Sequence, residues 1–269
     1  MKLPVSNPIS AFVRHGSLTW EMAKRDVQGR YRGASLGIAW SLVSPFLMLL
    51  VYTLAFGSIM KARWPQAEGE TTNFALIIFV GLIVHGFFSE CFIRSAGLVV
   101  NNPNFVKKII FPLEILPWPL VFSALFHAAM NFLVFIVFHW CVAGPVPITI
   151  LLLPIVLLPL AILMAGISWF MASISVYFRD VSQLTGPVAT AMLFLSSAIV
   201  PLDSVPASFR IVFRMNPITP IIDQARNVSL WGSWPDWTTL AWCTAGAVVV
   251  AVAGFTFFQA SRKGFADVL

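Results

Sequence analysis

The chain has 269 residues, 58% of them apolar and only 10% charged, with a formal net charge of +6. A water-soluble fold of this size would have too little polar material to cover its surface, so lipid must be the solvent over much of the chain. An ordinary soluble enzyme is thereby excluded, and no nucleic acid is expected, because the basic residues sit in short segments flanking apolar runs and form no stripe on one face.

Residues 1–37 are polar and basic ahead of the first long apolar run, which does not fit a cleavable signal. Within them, residues 8–33 set Phe12, Val13, Leu18, Trp20, Met22 and Val27 among Arg14, Lys24, Arg25 and Arg30. That is the pattern of an amphipathic helix at the membrane interface, its cations near anionic headgroups; a basic leader without fixed structure is the other reading. Six apolar stretches follow, near 38–60, 74–100, 113–141, 148–176, 187–201 and 238–259. Their hydrophobicity is continuous, which predicts helices and not the dyad-patterned strands of a barrel. The expected fold is an all-α integral membrane protein, one compact membrane domain over 1–269 with six transmembrane helices.

After the second stretch, residues 101–112 mix helix-start residues with apolar ones. Pro103 at a first helical position and Pro112 as a stop predict a short helix that presents Phe105 and Ile109 as a docking knob; a plain topological loop is the alternative. The fifth stretch is short: residues 188–200 make about 20 Å of helix against a hydrocarbon core of about 30 Å. It crosses only if the polar residues 182–186 extend it. Residues 202–237 are too long for an ordinary connection and too apolar for a solvated loop. Phe209 and Phe213 share one helical face there and Arg210 and Arg214 another, while Asn216 and Pro217 open a second helical pattern through Ile218, Ile221 and Ile222 to Arg226. Two short re-entrant helices, or a surface hairpin, fit this segment, with Asp223 and Arg226 paired across one turn.

Lys and Arg set the orientation. Lys2, Arg14, Lys24, Arg25, Arg30, Arg32, Lys107, Lys108, Arg179, Arg262 and Lys263 fall on the side of the two termini. Only Lys61, Arg63, Arg210, Arg214 and Arg226 fall opposite, so both termini are expected in the cytoplasm. Trp20, Trp40, Trp64, Trp118, Trp231, Trp234, Trp237 and Trp242 lie near span ends, where an indole keeps its N–H hydrated. Glu90 and Arg94 stand four apart inside the second span. Intramembrane charge points to function, and structural glue between helices, or snorkelling of Arg94, is the competing account.

Cys91, Cys141 and Cys243 are isolated, and His85, His127 and His139 have no ligand spacing, so no metal site and no bound cofactor are expected. The chain has no phosphate-cradling GxxxxGK[ST] loop, no HExxH and no GxSxG, so no catalytic residue is assigned and any ATP hydrolysis must lie on another polypeptide. Carboxylates are too sparse for a proton-coupled carrier.

Four motifs in order resemble type-two ABC exporter permeases over nearly the whole chain. They are Arg30-Tyr31-Arg32-Gly33-Ala34-Ser35-Leu36-Gly37 with Trp40 and Pro45; Asn104-Phe105-Val106-Lys107-Lys108 leading to Phe111-Pro112-Leu113-Glu114-Ile115-Leu116-Pro117; Tyr177-Phe178-Arg179-Asp180; and Asn216-Pro217-Ile218-Thr219-Pro220 through Arg226. The likeness is strongest to the branch exporting lipid-linked polysaccharides such as O-antigen and teichoic acid. It implies a homodimer in the bacterial inner membrane, with two nucleotide-binding ATPase subunits that use ATP and Mg and an undecaprenyl-linked polysaccharide as cargo. It further implies a coupling helix carrying Asn104, Phe105, Lys107, Lys108 and Phe111, with Arg179 and Asp180 adding contacts to the ATPase. Arg25, Arg30, Tyr31 and Arg32 would lie at the lipid-headgroup interface, and Phe209, Arg210, Phe213, Asn216, Pro217, Ile221 and Arg226 in a periplasmic gate. Tyr52, Phe56, Phe87, Phe88, Glu90 and Arg94 are candidate channel-lining residues, because flat aromatic faces stack on sugar rings without demanding one hydrogen-bond pattern. A drug exporter of the same class and a membrane-embedded transferase are the alternatives; the latter would need convergent acid and base groups.

Overall fold

A computed structural model describes residues 12–55, 74–107 and 111–269. Phe56, Lys61, Arg63, Trp64, Lys108, Ile109 and the residues before Phe12, all named above, lie outside the described residues. Among the described residues the architecture is helical throughout, with no strand.

Helix α1, Gly16–Arg30, buries Thr19, Ala23 and Val27, a row at four-residue spacing that lies against α6. Val13 and Trp20 are exposed, whereas Phe12 packs on Trp118 and Phe122 of α6. Gly33 and Gly37, with φ of 86° and 52°, make the turn into a 3-10 segment and α2, Trp40–Tyr52. The next helix, α3 (Phe74–Ser95), is the centre of the bundle. Leu76, Val80, Val84 and Cys91 are wholly buried on it, and it touches α2, α6, α7, α8 and α10. Two short helices follow, α4 (Gly97–Val100) and α5 (Pro103–Lys107). The long helix α6, Pro117–Ala143, begins on proline, where a missing N–H costs nothing, and ends at Gly144 with φ 92°. Then come α7 (Leu153–Tyr177), α8 (Val181–Phe194), α9 (Ala207–Met215), α10 (Ile218–Ser229), α11 (Trp237–Ser261) and α12 (Phe265–Val268). The Asp236 carboxylate caps α11 by accepting from the Thr238 N–H at 3.0 Å. The Thr239 hydroxyl and these backbone donors hold its pKa below the usual carboxylate value.

Five stretches among the described residues are long and apolar enough to cross a membrane: Gly37–Ala55, Phe74–Ser95, Leu113–Ala143, Ile148–Tyr177 and Trp237–Val268. The remaining apolar stretch, expected at 187–201, forms α8 instead, which takes in residues 182–186 and stops at Phe194. Hydroxyls satisfy the polar part locally: Ser182 donates to Arg179 O, Thr185 to Ser182 O and Thr190 to Gly186 O. The stop is made from elsewhere in the chain. Asn216 Nδ2 donates to the carbonyls of Met192 and Leu195, the acceptors that the last turn of α8 leaves open. At about 1.5 Å per residue, the 14 residues of α8 reach about 21 Å.

Helices α7 and α11 form an extensive interface in which backbone meets backbone. A Cβ on Gly166 would fall 2.5 Å from Ala251 Cα, and one on Gly254 would collide with the Gly166 carbonyl. Lipid offers no hydrophobic drive for helix association, so small residues that permit close approach carry it. Gly254→Leu should therefore force these helices apart at a cost of about 1–3 kcal/mol. The check is the unfolding midpoint in mixed micelles, and an unchanged midpoint contradicts the close approach.

Candidate functional site

The charged residues of three helices converge inside the bundle. On α1, Asp26 and Arg30 stand one turn apart and project toward α3, where Glu90 and Arg94 repeat the same spacing. His127 comes from α6. The side chain of Glu90, 14% exposed, accepts from Arg30 Nη1 at 2.8 Å, Arg94 Nη1 at 3.0 Å and His127 Nδ1 at 2.9 Å. Arg94 Nη2 donates to Asp26 Oδ1 at 2.5 Å. Donation by His127 to a carboxylate requires its proton on Nδ1, and its buried Nε2 has no partner among the described residues. Tyr31 meets the His127 ring edge-on at 6.0 Å; burial pushes its phenol pKa up, with the Arg30 guanidinium opposing.

This cluster forms one wall of a cavity of about 1680 Å³ that runs between α1, α3 and α6. Phe105, Phe111, Arg179 and Ser182 line it as well, so it extends from α1 to α5 and the α7–α8 turn. Of the candidates read from the sequence, Arg25, Arg30, Tyr31, Phe87, Glu90 and Arg94 line this cavity, while Arg32, Tyr52 and Phe88 do not. Phe88 packs into the core and stacks on Phe92 at 5.4 Å, and Phe87 is 2% exposed. Helical rotation accounts for this, since neighbouring positions on α3 cannot all face one space.

At the same end of the bundle, α5 exposes Asn104 and Lys107, and Phe105 stacks on Phe111 with centroids 4.5 Å apart. Arg179 and Asp180 are exposed in the turn between α7 and α8.

The opposite end holds α9 and α10. Ile221 and Arg226 on α10 are buried at 1% exposure, and Asn216 at 5%. Arg226 Nε donates to Ile77 O at 3.0 Å, Nη1 to Ser197 O at 2.7 Å and Nη2 to Ala198 O at 2.8 Å. The expected partner within its own helix, Asp223, is 3.8 Å away, so the longer-range carbonyls dominate. Helix α9 is looser: Phe213 is buried, whereas Phe209 is 62% exposed and Pro217 lies at the surface of the turn that follows. Arg210 folds back on the preceding loop, donating to the carbonyls of Val205 and Asp203.

The pairing of Glu90 with Arg94 was legible from spacing alone. Asp26 and His127 were not named as site residues, though Asp26 shares a face with Arg30 at the same four-residue interval. Among the described residues no group of three or more His, Cys, Asp or Glu side chains is placed to hold a metal.

Three curated proteins are similar to this chain along nearly all of their length. The O-antigen export system permease protein RfbA of Myxococcus xanthus is 24% identical, covering 94% of this chain and 96% of that protein. A permease of the same description from Klebsiella pneumoniae is 22% identical over 92% and 93% of the two chains. The polysialic acid transport protein KpsM of Escherichia coli is 22% identical over 89% and 91%. Residues 17–230 match the ABC-2 type transporter family, and the chain belongs to that family.

Proposed function

We propose that this chain is the membrane-spanning subunit of an ATP-driven exporter that carries a lipid-linked polysaccharide of the O-antigen kind across the bacterial inner membrane. The carrying observation is the cavity of about 1680 Å³, lined by a charged cluster at one end of the bundle and reaching α5. Drug-sized sites are smaller, about 300–1,000 Å³, so its volume favours a polymer and its lipid carrier over a small-molecule cargo. Similarity along nearly the full length of two O-antigen export permeases and a polysialic acid transport protein supports the same choice.

In this reading both termini are cytoplasmic and α8, completed by the turn at 195–201, makes a sixth crossing. Two copies pair, covering apolar faces that a single chain leaves exposed on α2 and α8, Leu47, Val51 and Leu184 among them. Arg25 and Arg30 lie at headgroup depth, where guanidinium groups suit an anionic headgroup such as the diphosphate of an undecaprenyl carrier. A separate nucleotide-binding subunit, which supplies the ATP and Mg chemistry, docks on α5 and on Arg179 and Asp180 of each copy. Closure of the ATPase pair moves α5 and opens the path between the two permeases, while α9 and α10 gate its far mouth.

Phe105→Asp tests the docking. A buried aromatic anchor is worth about 2 kcal/mol or more, so affinity for the ATPase should fall about 30-fold or more, with membrane insertion intact. Co-purification and export assays read this directly. Full export by the variant, or nucleotide turnover by the permease alone, refutes the reading.

A further inference from the structure

Residues 262–269 follow α11 as a 3-10 turn, Arg262–Gly264, and then α12. Here Phe265 is fully buried, its ring edge-on to Phe258 at 5.6 Å and tilted against Tyr177 at 6.2 Å. The Tyr177 hydroxyl donates to Ser261 O at 2.9 Å, and Gly264 backs onto that hydroxyl so closely that a Cβ would not fit. Arg262 Nη1 donates to Glu114 Oε2 at 3.1 Å, both side chains mostly shielded. Glu114 lies just beyond Phe111, the ring stacked on Phe105 of α5, and α12 itself packs against α5 and α7.

Helix α5 has five residues and none of them is fully buried. One helical turn is far too short to hold itself in water, so its position must be set by what it leans on. We propose that residues 262–269 form a strut that sets the position of α5, with Phe265 and Arg262 as its positioning residues. Because the strut continues α11 and is bonded to the end of α7, a displacement of α5 passes into both long helices and not only into the loop that carries it. This rests on the reading of α5 as the contact with the ATPase.

The test uses the permease with its ATPase in proteoliposomes and measures glycan exported per ATP hydrolysed, a ratio that the amount of folded protein does not change. Phe265→Ala should lower the ratio about fivefold, the factor that the loss of buried aromatic contacts corresponds to, and Phe265→Leu should restore part of it. Arg262→Glu should lower the ratio as well, and pairing it with Glu114→Arg should recover it. An unchanged ratio in Phe265→Ala and Arg262→Glu, alongside uncoupling by Phe105→Asp, overturns the strut alone. If Phe105→Asp also leaves export intact, the coupling role of α5 falls and takes the strut with it.

Discussion

Replacing Arg226 with methionine is expected to loosen the far end of the bundle and to abolish export. The guanidinium is 1% exposed and ties α10 to the start of α3 and to the turn after α8 through three backbone carbonyls. Methionine fills similar space but donates no hydrogen bond, so acceptors at Ser197 and Ala198 lose a charged donor worth about 1.5–3 kcal/mol each. Removing one side of a buried charged network costs about 3–5 kcal/mol, a large part of the stability of an ordinary domain. Arg226→Lys should rescue little, because one ammonium cannot match a planar fork aimed at three carbonyls on two elements. Gly81 explains why the site tolerates no rearrangement: a Cβ there would meet Arg226 Nη2 at 2.7 Å and the Ala198 carbonyl at 2.8 Å. The measurement is the unfolding midpoint in mixed micelles together with accessibility of a cysteine placed on α10. Wild-type stability in Arg226→Met would mean that the carbonyl contacts contribute nothing.

Loss of the Glu90 carboxylate should have the other large effect, at the opposite end. Glu90 is the shared acceptor for Arg30, Arg94 and His127, so Glu90→Ala leaves two guanidinium groups facing one another across α1 and α3. The contributions differ with exposure. Arg30 is 54% exposed, so its pair with Glu90 is screened and worth about 1 kcal/mol or less. His127, 11% exposed, meets Glu90 in shielded surroundings while Arg94, 38% exposed, is partly screened, and losing the acceptor costs about 1–3 kcal/mol. Glu90→Ala should therefore loosen α3 against α6 and set Arg30 against Arg94, read as increased mobility of a spin label at Glu21 on α1, whereas Arg30→Ala, which leaves the Arg94–Asp26 bridge and orphans no acceptor in the core, should change it little. Equal mobility in the two variants would contradict this ranking. With the cluster unbalanced, the cavity wall between α1, α3 and α6 loosens, and export should fall with it.

The long spans were legible because lipid imposes one rule on every residue at once: a crossing segment must be apolar and must satisfy its own backbone. Residues 153–177 obey it without exception, and residues 74–95 obey it save for Glu90 and Arg94 toward one end, and their helices follow. The interval of four between Glu90 and Arg94 was equally plain, since helical geometry alone brings those groups together. Helix α8 was harder. Its apolar run reads as 187–201, yet its hydroxyl-bearing start is made helical by local bonds and its end is cut by Asn216, more than twenty residues away. No window of sequence contains both halves of that contact.

What the sequence by itself determined is the solvent, the long apolar helices and the residue pairs one turn apart. These follow from composition and from the 3.6-residue period, both local properties. Only the tertiary structure decided that Arg226 answers to Ile77, Ser197 and Ala198 as well as to Asp223, that Asp26 and His127 join Glu90, and that residues 265–268 pack against α5. Those partners lie on different helices, and which faces meet is settled by how closely glycine-lined backbones such as Gly166 and Gly254 can approach, a matter of packing in three dimensions.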